Sequence, residues 1–452
     1  MTLRCVIATG IREVALIVQK YGGTSVGSIE RMQNVAARAL RTQAQGHKVV
    51  LIVSAMAGET NRLLGLAHKL TPLPDARELD ALAATGEQVS AALVALAIQA
   101  QGGKAKSFLG HQLKVLTDSA YTKARILAID AARLHEALDG GAIGVVAGFQ
   151  GVDDAGNITT LGRGGSDTSA VAVAAALGAD ACEIFTDVDG VYTTDPNICP
   201  SAKKIDKISY DEMLELASLG AKVLQIRSVE VAMKYQVPVE VKSSFSDAPG
   251  TWVVREDEAL ESTVVRGVAL EKNEARVMLV GVDDKPGVVA KIFGALSDQH
   301  ISVDMIIQSP SRHVAGRDVP TVDVTFTVGK ADLARSKLII AEVLADVGGT
   351  AAEYDENVVK VSIVGLGMRS HAGVAAKMFA LLAKEGVNIQ AISTSEIKVS
   401  CLIEAKYAEL GVRALHDGFG LGQQSGGRGR AGVGGSRVNA TSQPCWPHAG
   451  VC

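Results

Sequence analysis

Three segments hold residue types suited to binding or moving a phosphoryl group. Lys20-Tyr21-Gly22-Gly23-Thr24-Ser25-Val26 lies between an apolar run at 15–19 and an amphipathic stretch at 29–45. Glycines at a strand-to-helix turn let backbone N–H groups approach a phosphate, and the helix N-terminus adds a favourable dipole. A lysine at the strand end supplies positive charge to the transferring group. A tight turn capped by Thr24 or Ser25 fits the same letters. Gly162-Arg163-Gly164-Gly165-Ser166-Asp167-Thr168 precedes a second helical stretch and embeds an arginine and an aspartate. Two such turns in one unit point to a phosphate or carboxylate ligand. Thr186-Asp187-Val188-Asp189-Gly190-Val191-Tyr192-Thr193-Thr194-Asp195-Pro196 follows an apolar run at 181–185. Acidic and hydroxyl groups there would sit at a strand's carboxyl end, where open α/β sheets bind ligands. An acidic surface loop accounts for it equally well.

Other chemistries are missing from the chain. It has no G-x-x-x-x-G-K-[ST], no H-E-x-x-H and no C-x-x-C, so no P-loop, zincin or thiol-pair site is expected, and no metal ligand is assigned. Gly365-Leu366-Gly367-Met368-Arg369-Ser370 lacks the third glycine of a dinucleotide turn and belongs to an internal repeat.

The elements that must position these residues follow from hydrophobic patterning. Continuous apolar runs at 15–19, 48–53, 142–146 and 181–185 alternate with helical stretches at 29–45, 78–101 and 167–177. Unalternated strands separated by helices predict an α/β sheet covered on both faces. The segment 243–250 breaks the pattern and reads as a turn or linker. Beyond it, 287–307 and 373–393 repeat at an offset of 86 residues, with Gly287/Gly373, Lys291/Lys377 and Phe293/Phe379 aligned without a gap. Two copies of one β-loop-α-β unit predict a tandem pair of small α+β modules rather than a solenoid.

Composition bounds the rest. The 452 residues carry 45 Lys+Arg against 49 Asp+Glu, a net charge of −4, which excludes the basic excess of a nucleic-acid binder. The hydrophobic fraction of 47% supplies a large core. Neither a signal peptide nor an uninterrupted apolar run of membrane-spanning length is found, and the six cysteines are scattered singly, so a cytoplasmic location is expected. From 418 onward the chain holds ten glycines, three arginines and no acidic residue, and reads as a disordered tail.

Six motifs in order carry a resemblance: KYGGTSV at 20–26, SAMAGETN at 54–61, TGEQVSA at 85–91, GRGGSDTSA at 162–170, TDVDGVYTTDP at 186–196 and SLGAKVLQIRSVE at 218–230. Together with the repeat, including VDDKPGVVAKIF at 282–293, they make the chain similar to the monofunctional aspartokinases with tandem C-terminal ACT domains. The resemblance implies an amino-acid-kinase fold, an open and mostly parallel sheet with helices on both faces, followed by two ferredoxin-like ACT domains. The expected division is an N-terminal extension at 1–14, a kinase domain at 15–245, a linker at 246–263, ACT domains at 264–345 and 346–417, and the tail at 418–452.

The same resemblance implies transfer of the γ-phosphoryl group of ATP, with Mg²⁺, to the β-carboxylate of L-aspartate, the first step toward lysine, threonine and methionine. Lys20, Asp167 and Lys222 would be catalytic. Ser54, Thr60, Glu87, Arg163 and Ser166 would hold aspartate, Arg163 as a fork for carboxylate and Glu87 for the ammonium. ATP would meet Lys20, Gly22, Gly23, Thr24, Ser25, Gly165, Thr186, Asp187, Tyr192 and Lys222. Asn197 stands where many relatives carry a basic residue. Lysine, threonine or both would bind around Asp284, Gly287, Asp304, Gln308, Asn388, Ile389 and Ser395, and the ACT domains would hold a dimer or larger assembly. A kinase of a glutamate-like carboxylate and a catalytically silent amino-acid sensor are the alternatives; the intact Lys20, Arg163, Asp167 and Lys222 argue against the sensor. No general base is needed, because a carboxylate of pKa ~3.9 is already ionised at neutral pH.

Overall fold

The computed structural model describes residues 15–219, 223–257, 260 and 263–422; the expected N-terminal extension and the tail from 423 lie outside them. An eight-stranded sheet runs in the order Lys207–Ser209, Thr251–Val254, Val239–Ser243, Ala181–Thr186, Leu16–Tyr21, Lys48–Val53, Ile143–Ala147, Ala105–Phe108. All neighbours are parallel except the pair Val239–Ser243 and Thr251–Val254. The continuous apolar runs have a simple cause. Val50 and Ile52 face one core with the helices Gly165–Leu177, Tyr210–Ser218 and Ile226–Tyr235, while Val49, Leu51 and Val53 face another with Ile29–Ala44 and Thr85–Ala100. Every side chain of such a strand meets a helix, so no polar alternation survives.

The segment expected as linker is corrected in part. Thr251–Val254 closes a hairpin on Val239–Ser243 and extends the sheet, so the kinase domain runs beyond 245. The helix expected over 78–101 is two helices, Ala76–Ala83 and Thr85–Ala100. The Ala84 carbonyl at the junction accepts a bond from Gln150 Nε2 at 3.1 Å. By hydropathy and length, Ala76–Ala100 would suffice to cross a membrane, but it is broken here, half buried, and carries the buried Asp80 and Glu87 as part of the domain core. A small four-stranded sheet of Ile126–Ala128, Leu116–Thr117, Gln150–Val152 and Ile158–Thr160 stands beside the main one.

In the C-terminal half the repeat holds element by element. The helices Val288–Asp298 and Val374–Lys384, and the strands Val303–Gln308 and Ile389–Thr394, keep the offset of 86. The division at 345/346 does not follow the sheets. Gly267–Glu271 pairs with Val358–Val364 in the second four-stranded sheet, and Ala351–Asp355 pairs with Ala275–Asp283 in the first. The first module is therefore inserted within the second. Each of these strands forms the edge of its sheet, so the chain enters the first module from the rim of the second and leaves it from the first module's own rim. The second module also runs past 417, since Phe419 and Leu421 pack on its core.

Candidate active site

The first strand lies between Lys48–Val53 and Ala181–Thr186, with Tyr21 opposite both Val53 and Phe185. Parallel pairing brings three carboxyl ends to one rim, the side on which such sheets take ligands. Lys20 projects there, and its Nζ lies 2.6 Å from Asp167 Oδ1 in the first turn of Gly165–Leu177; each side chain is about one-tenth exposed. Gly23 follows at a point where a Cβ would come within 2.8 Å of the Ala55 carbonyl oxygen, so only glycine lets the two loops touch. The Gly23 carbonyl in turn accepts from the Ala57 amide at 3.1 Å. The glycine turn does not open the next helix, as the spacing suggested. Ile29–Ala44 starts later and is capped by Ser28, whose hydroxyl accepts from the Arg31 amide.

Gly164 holds φ +71 as N-cap of Gly165–Leu177, with no side-chain cap on the helix end. A Cβ there would meet Gln225 at 2.5 Å, and Gln225 Nε2 donates to the Arg163 carbonyl at 2.6 Å. The turn is thus clamped from behind, while the exposed Arg163 guanidinium makes no ion pair among the described residues.

A cleft of about 540 Å³ opens between these loops. Its walls include Lys20, Gly23, Gly165 and Asp167 together with all five residues expected to hold the acceptor: Ser54, Thr60, Glu87, Arg163 and Ser166. Glu87 is 3% exposed, and one carboxylate oxygen accepts from the Ala55 amide at 3.0 Å. Its other oxygen, Oε2, is buried without a hydrogen-bond partner among the described residues. Burial pushes this carboxyl up to about 7, against the smaller pull of the Ala55 bond. An unpaired buried acceptor of this kind is costly and calls for a donor or cation.

Asp80, Thr122, Phe149 and Thr160 also line the cleft and were not singled out from the sequence. Asp80 accepts from the Thr122 amide and from both the amide and hydroxyl of Thr160 at 2.6–3.0 Å, fixing the strand end that leads into the Gly162–Ser166 turn. An aspartate on the apolar face of a helix was the available signal.

Other expected residues lie elsewhere. Thr24 is exposed, and Ser25 is buried with its hydroxyl 2.5 Å from that of Ser244. Gly22 abuts Lys20 Nζ without lining the cleft. Thr186 and Asp187 bond each other at 3.1 Å at the end of their strand. Tyr192 lines a second cavity of about 480 Å³, between the kinase loop Gly190–Ile198 and the strand Gly267–Glu271. Asn197 turns its amide and side chain onto Asp195 Oδ1, at 2.9 and 3.0 Å. Lys222 lies outside the described residues.

Of the expected effector residues, Asp284 and Gly287 belong to the first module's loop, Asp304 and Gln308 to its edge strand, and Asn388, Ile389 and Ser395 to the second module. Asp304 is already engaged. Lys360 Nζ lies 2.5 Å from both Asp304 Oδ2 and Glu274 Oε1, and although burial would raise the Asp304 carboxyl, Lys360 outweighs it and holds it below the usual range. As built, that carboxylate ties the modules together rather than standing free for an effector ammonium.

The chain's likeness to known proteins follows the same division into a kinase sheet and two small modules. The amino acid kinase family model matches residues 15–243, and ACT domain models match 276–336 and 361–419. The chain is 54% identical to an aspartokinase of Pseudomonas aeruginosa over 410 residues, covering 90% of this chain and 98% of the relative. It is 52% identical to an aspartokinase of Helicobacter pylori, covering 90% and 100%. Among solved structures, aspartokinase III of E. coli with aspartate and ADP is 28% identical, with a TM-score of 0.75 over 89% of this chain and 99% of that one. The same protein with lysine and aspartate superposes with a TM-score of 0.72.

Proposed function

The chain belongs to the aspartokinase family, and from that premise we propose that its cleft transfers the γ-phosphoryl group of ATP to the β-carboxylate of L-aspartate. The observation that carries the assignment of roles is the meeting of the Lys20–Asp167 pair with the orphaned Glu87 Oε2 in one cavity. An α-ammonium answers Glu87 Oε2. Arg163, without an ion pair among the described residues, offers a fork to a substrate carboxylate. The β-carboxylate is then the remaining functional group, and it is ionised at neutral pH. The barrier is the approach of one anion to another, so positive charge and oriented amides do the work rather than a base. Lys20 supplies charge to the transferring group, and Asp167 orients Lys20. Lys222 would add a second cation.

ATP would arrive as its magnesium complex, the ion carried on the phosphates. Hard divalent cations prefer oxygen ligands, and the carboxylate of Asp167 at the cleft fits that demand. Thr186, Asp187 and Tyr192, with the cavity beside Tyr192, would receive the base and ribose. Regulation would come from L-lysine, L-threonine or both at the ACT modules, with a coupling of roughly 1–3 kcal/mol. Association through those modules is supported by the exposed Ile306 and Ile392 on their edge strands. A cytoplasmic location suits the free, buried Cys182, Cys199 and Cys401. The roles are tested by steady-state kinetics with Glu87→Gln and Arg163→Ala. Both should raise KM for aspartate far more than KM for ATP; the opposite pattern would reassign the cleft.

A further inference from the structure

The loop that carries Tyr192 is gripped by the regulatory half. His416, on the last described helix Ala408–Gly418, is fully buried, and both ring nitrogens face the kinase loop. Nε2 lies 2.9 Å from Thr193 Oγ1, and Nδ1 lies 3.3 Å from Cys199 Sγ. The Thr193 carbonyl accepts from the Val268 amide at 2.7 Å, on the first strand of the second ACT sheet. A Cβ on Gly267 would fall 2.9 Å from that carbonyl oxygen, so strand and loop touch backbone to backbone. Thr193 also closes onto Lys203 through its own amide, 2.8 Å, and through its hydroxyl, 3.0 Å. Thr193 is therefore held from the kinase side by Lys203 and from the regulatory side by Val268 and His416. Its neighbour Tyr192 lines the cavity whose opposite wall is Val268–Lys272.

We propose that His416 is a positioning residue for the nucleotide: through Thr193 it fixes the Tyr192 loop, so that ATP affinity is set in part by the second ACT domain. This rests on the reading that the Tyr192 cavity receives the nucleotide. His416 touches no substrate in this scheme. Its hydrogen bond has value only while the last helix keeps its place against the kinase loop, so any shift of that helix is felt first at Thr193.

The test is a split of kinetic constants in the full-length enzyme. Glutamine places an amide where Nε2 stands and keeps the Thr193 contact; asparagine places one where Nδ1 stands and loses it. His416→Asn is expected to raise KM for ATP about fivefold, the net worth of one hydrogen bond. KM for aspartate and kcat should stay near wild type, and His416→Gln should restore KM for ATP. Thr193→Val removes the same bond from the other side together with the Lys203 amide contact, and serves where His416→Asn does not fold. It should give at least as large a rise, and adding His416→Asn to Thr193→Val should change KM for ATP little further. Tyr192→Ala is measured alongside. If Tyr192→Ala raises KM for ATP while His416→Asn and Thr193→Val lower only Tm, His416 is merely structural and the inference is overturned. If Tyr192→Ala leaves KM for ATP unchanged, the nucleotide reading of the cavity fails and the inference falls with it.

Discussion

Glu87 holds one oxygen bonded and the other bare inside the cleft, at a carboxyl pushed up to about 7 by burial. A folded-state pKa above the ordinary value favours the empty fold at low pH, and that contribution is lost as pH rises through about 7. An ammonium ligand reverses the preference, because it pairs with the ionised form. Affinity for aspartate should therefore improve as pH rises through about 7 and weaken below it. Glu87→Gln should flatten that dependence and raise KM, which a pH series of KM for aspartate would check. Lys20 invites a sharper substitution. Removing one preorganised cation from a transferring phosphoryl group costs on the order of 10²–10³ in turnover. Lys20→Ala should show that loss in kcat with the circular dichroism spectrum retained and Tm lowered by the stranding of Asp167, and near-normal turnover would contradict its role.

At the scale of elements, the site depends on loops that meet backbone to backbone. Gly23→Ala would drive a methyl group to within 2.8 Å of the Ala55 carbonyl oxygen and separate the Lys20 strand end from the loop that Glu87 anchors. Misplacement of this kind costs about 10²-fold, so kcat/KM for aspartate should fall by that order while secondary structure persists. Strands such as Lys48–Val53 were legible because both faces are buried, and the helices of the repeat because glycine marks each start. The short strands Leu116–Thr117 and Gln150–Val152 were not, since two or three residues carry no periodicity. The exchange of Gly267–Glu271 and Ala351–Asp355 was equally hidden. Pairing partners far apart in the chain leave no local pattern, and the repeat alone suggests two contiguous modules. The cleft residues Ser54, Thr60, Glu87, Arg163 and Ser166 were legible through motif resemblance. Asp80 and His416 were not, because each acts through contacts that only the tertiary fold creates.

At the scale of the molecule, the regulatory half is joined within itself by one buried cation. Lys360 Nζ reaches Glu274 and Asp304, and both Lys360 and Glu274 are buried. Lys360→Ala would strand the Glu274 carboxylate, a change worth about 3–5 kcal/mol. Thermal unfolding of the variant should show that loss, and Glu274→Gln combined with Lys360→Met should recover much of it. The kinase half would keep its cleft, so kcat should outlast the effector control proposed at the ACT modules in the destabilised protein. The acceptor decides which reaction the cleft performs. The most direct measurement is ADP release by the purified enzyme with MgATP and L-aspartate, with hydroxylamine present to trap an acyl phosphate as its hydroxamate. The prediction is aspartate-dependent ADP release matched by hydroxamate, with L-glutamate a poor substitute and Lys20→Ala slower by about 10²–10³. ADP release independent of aspartate, or hydroxamate formed preferentially from glutamate, would contradict it.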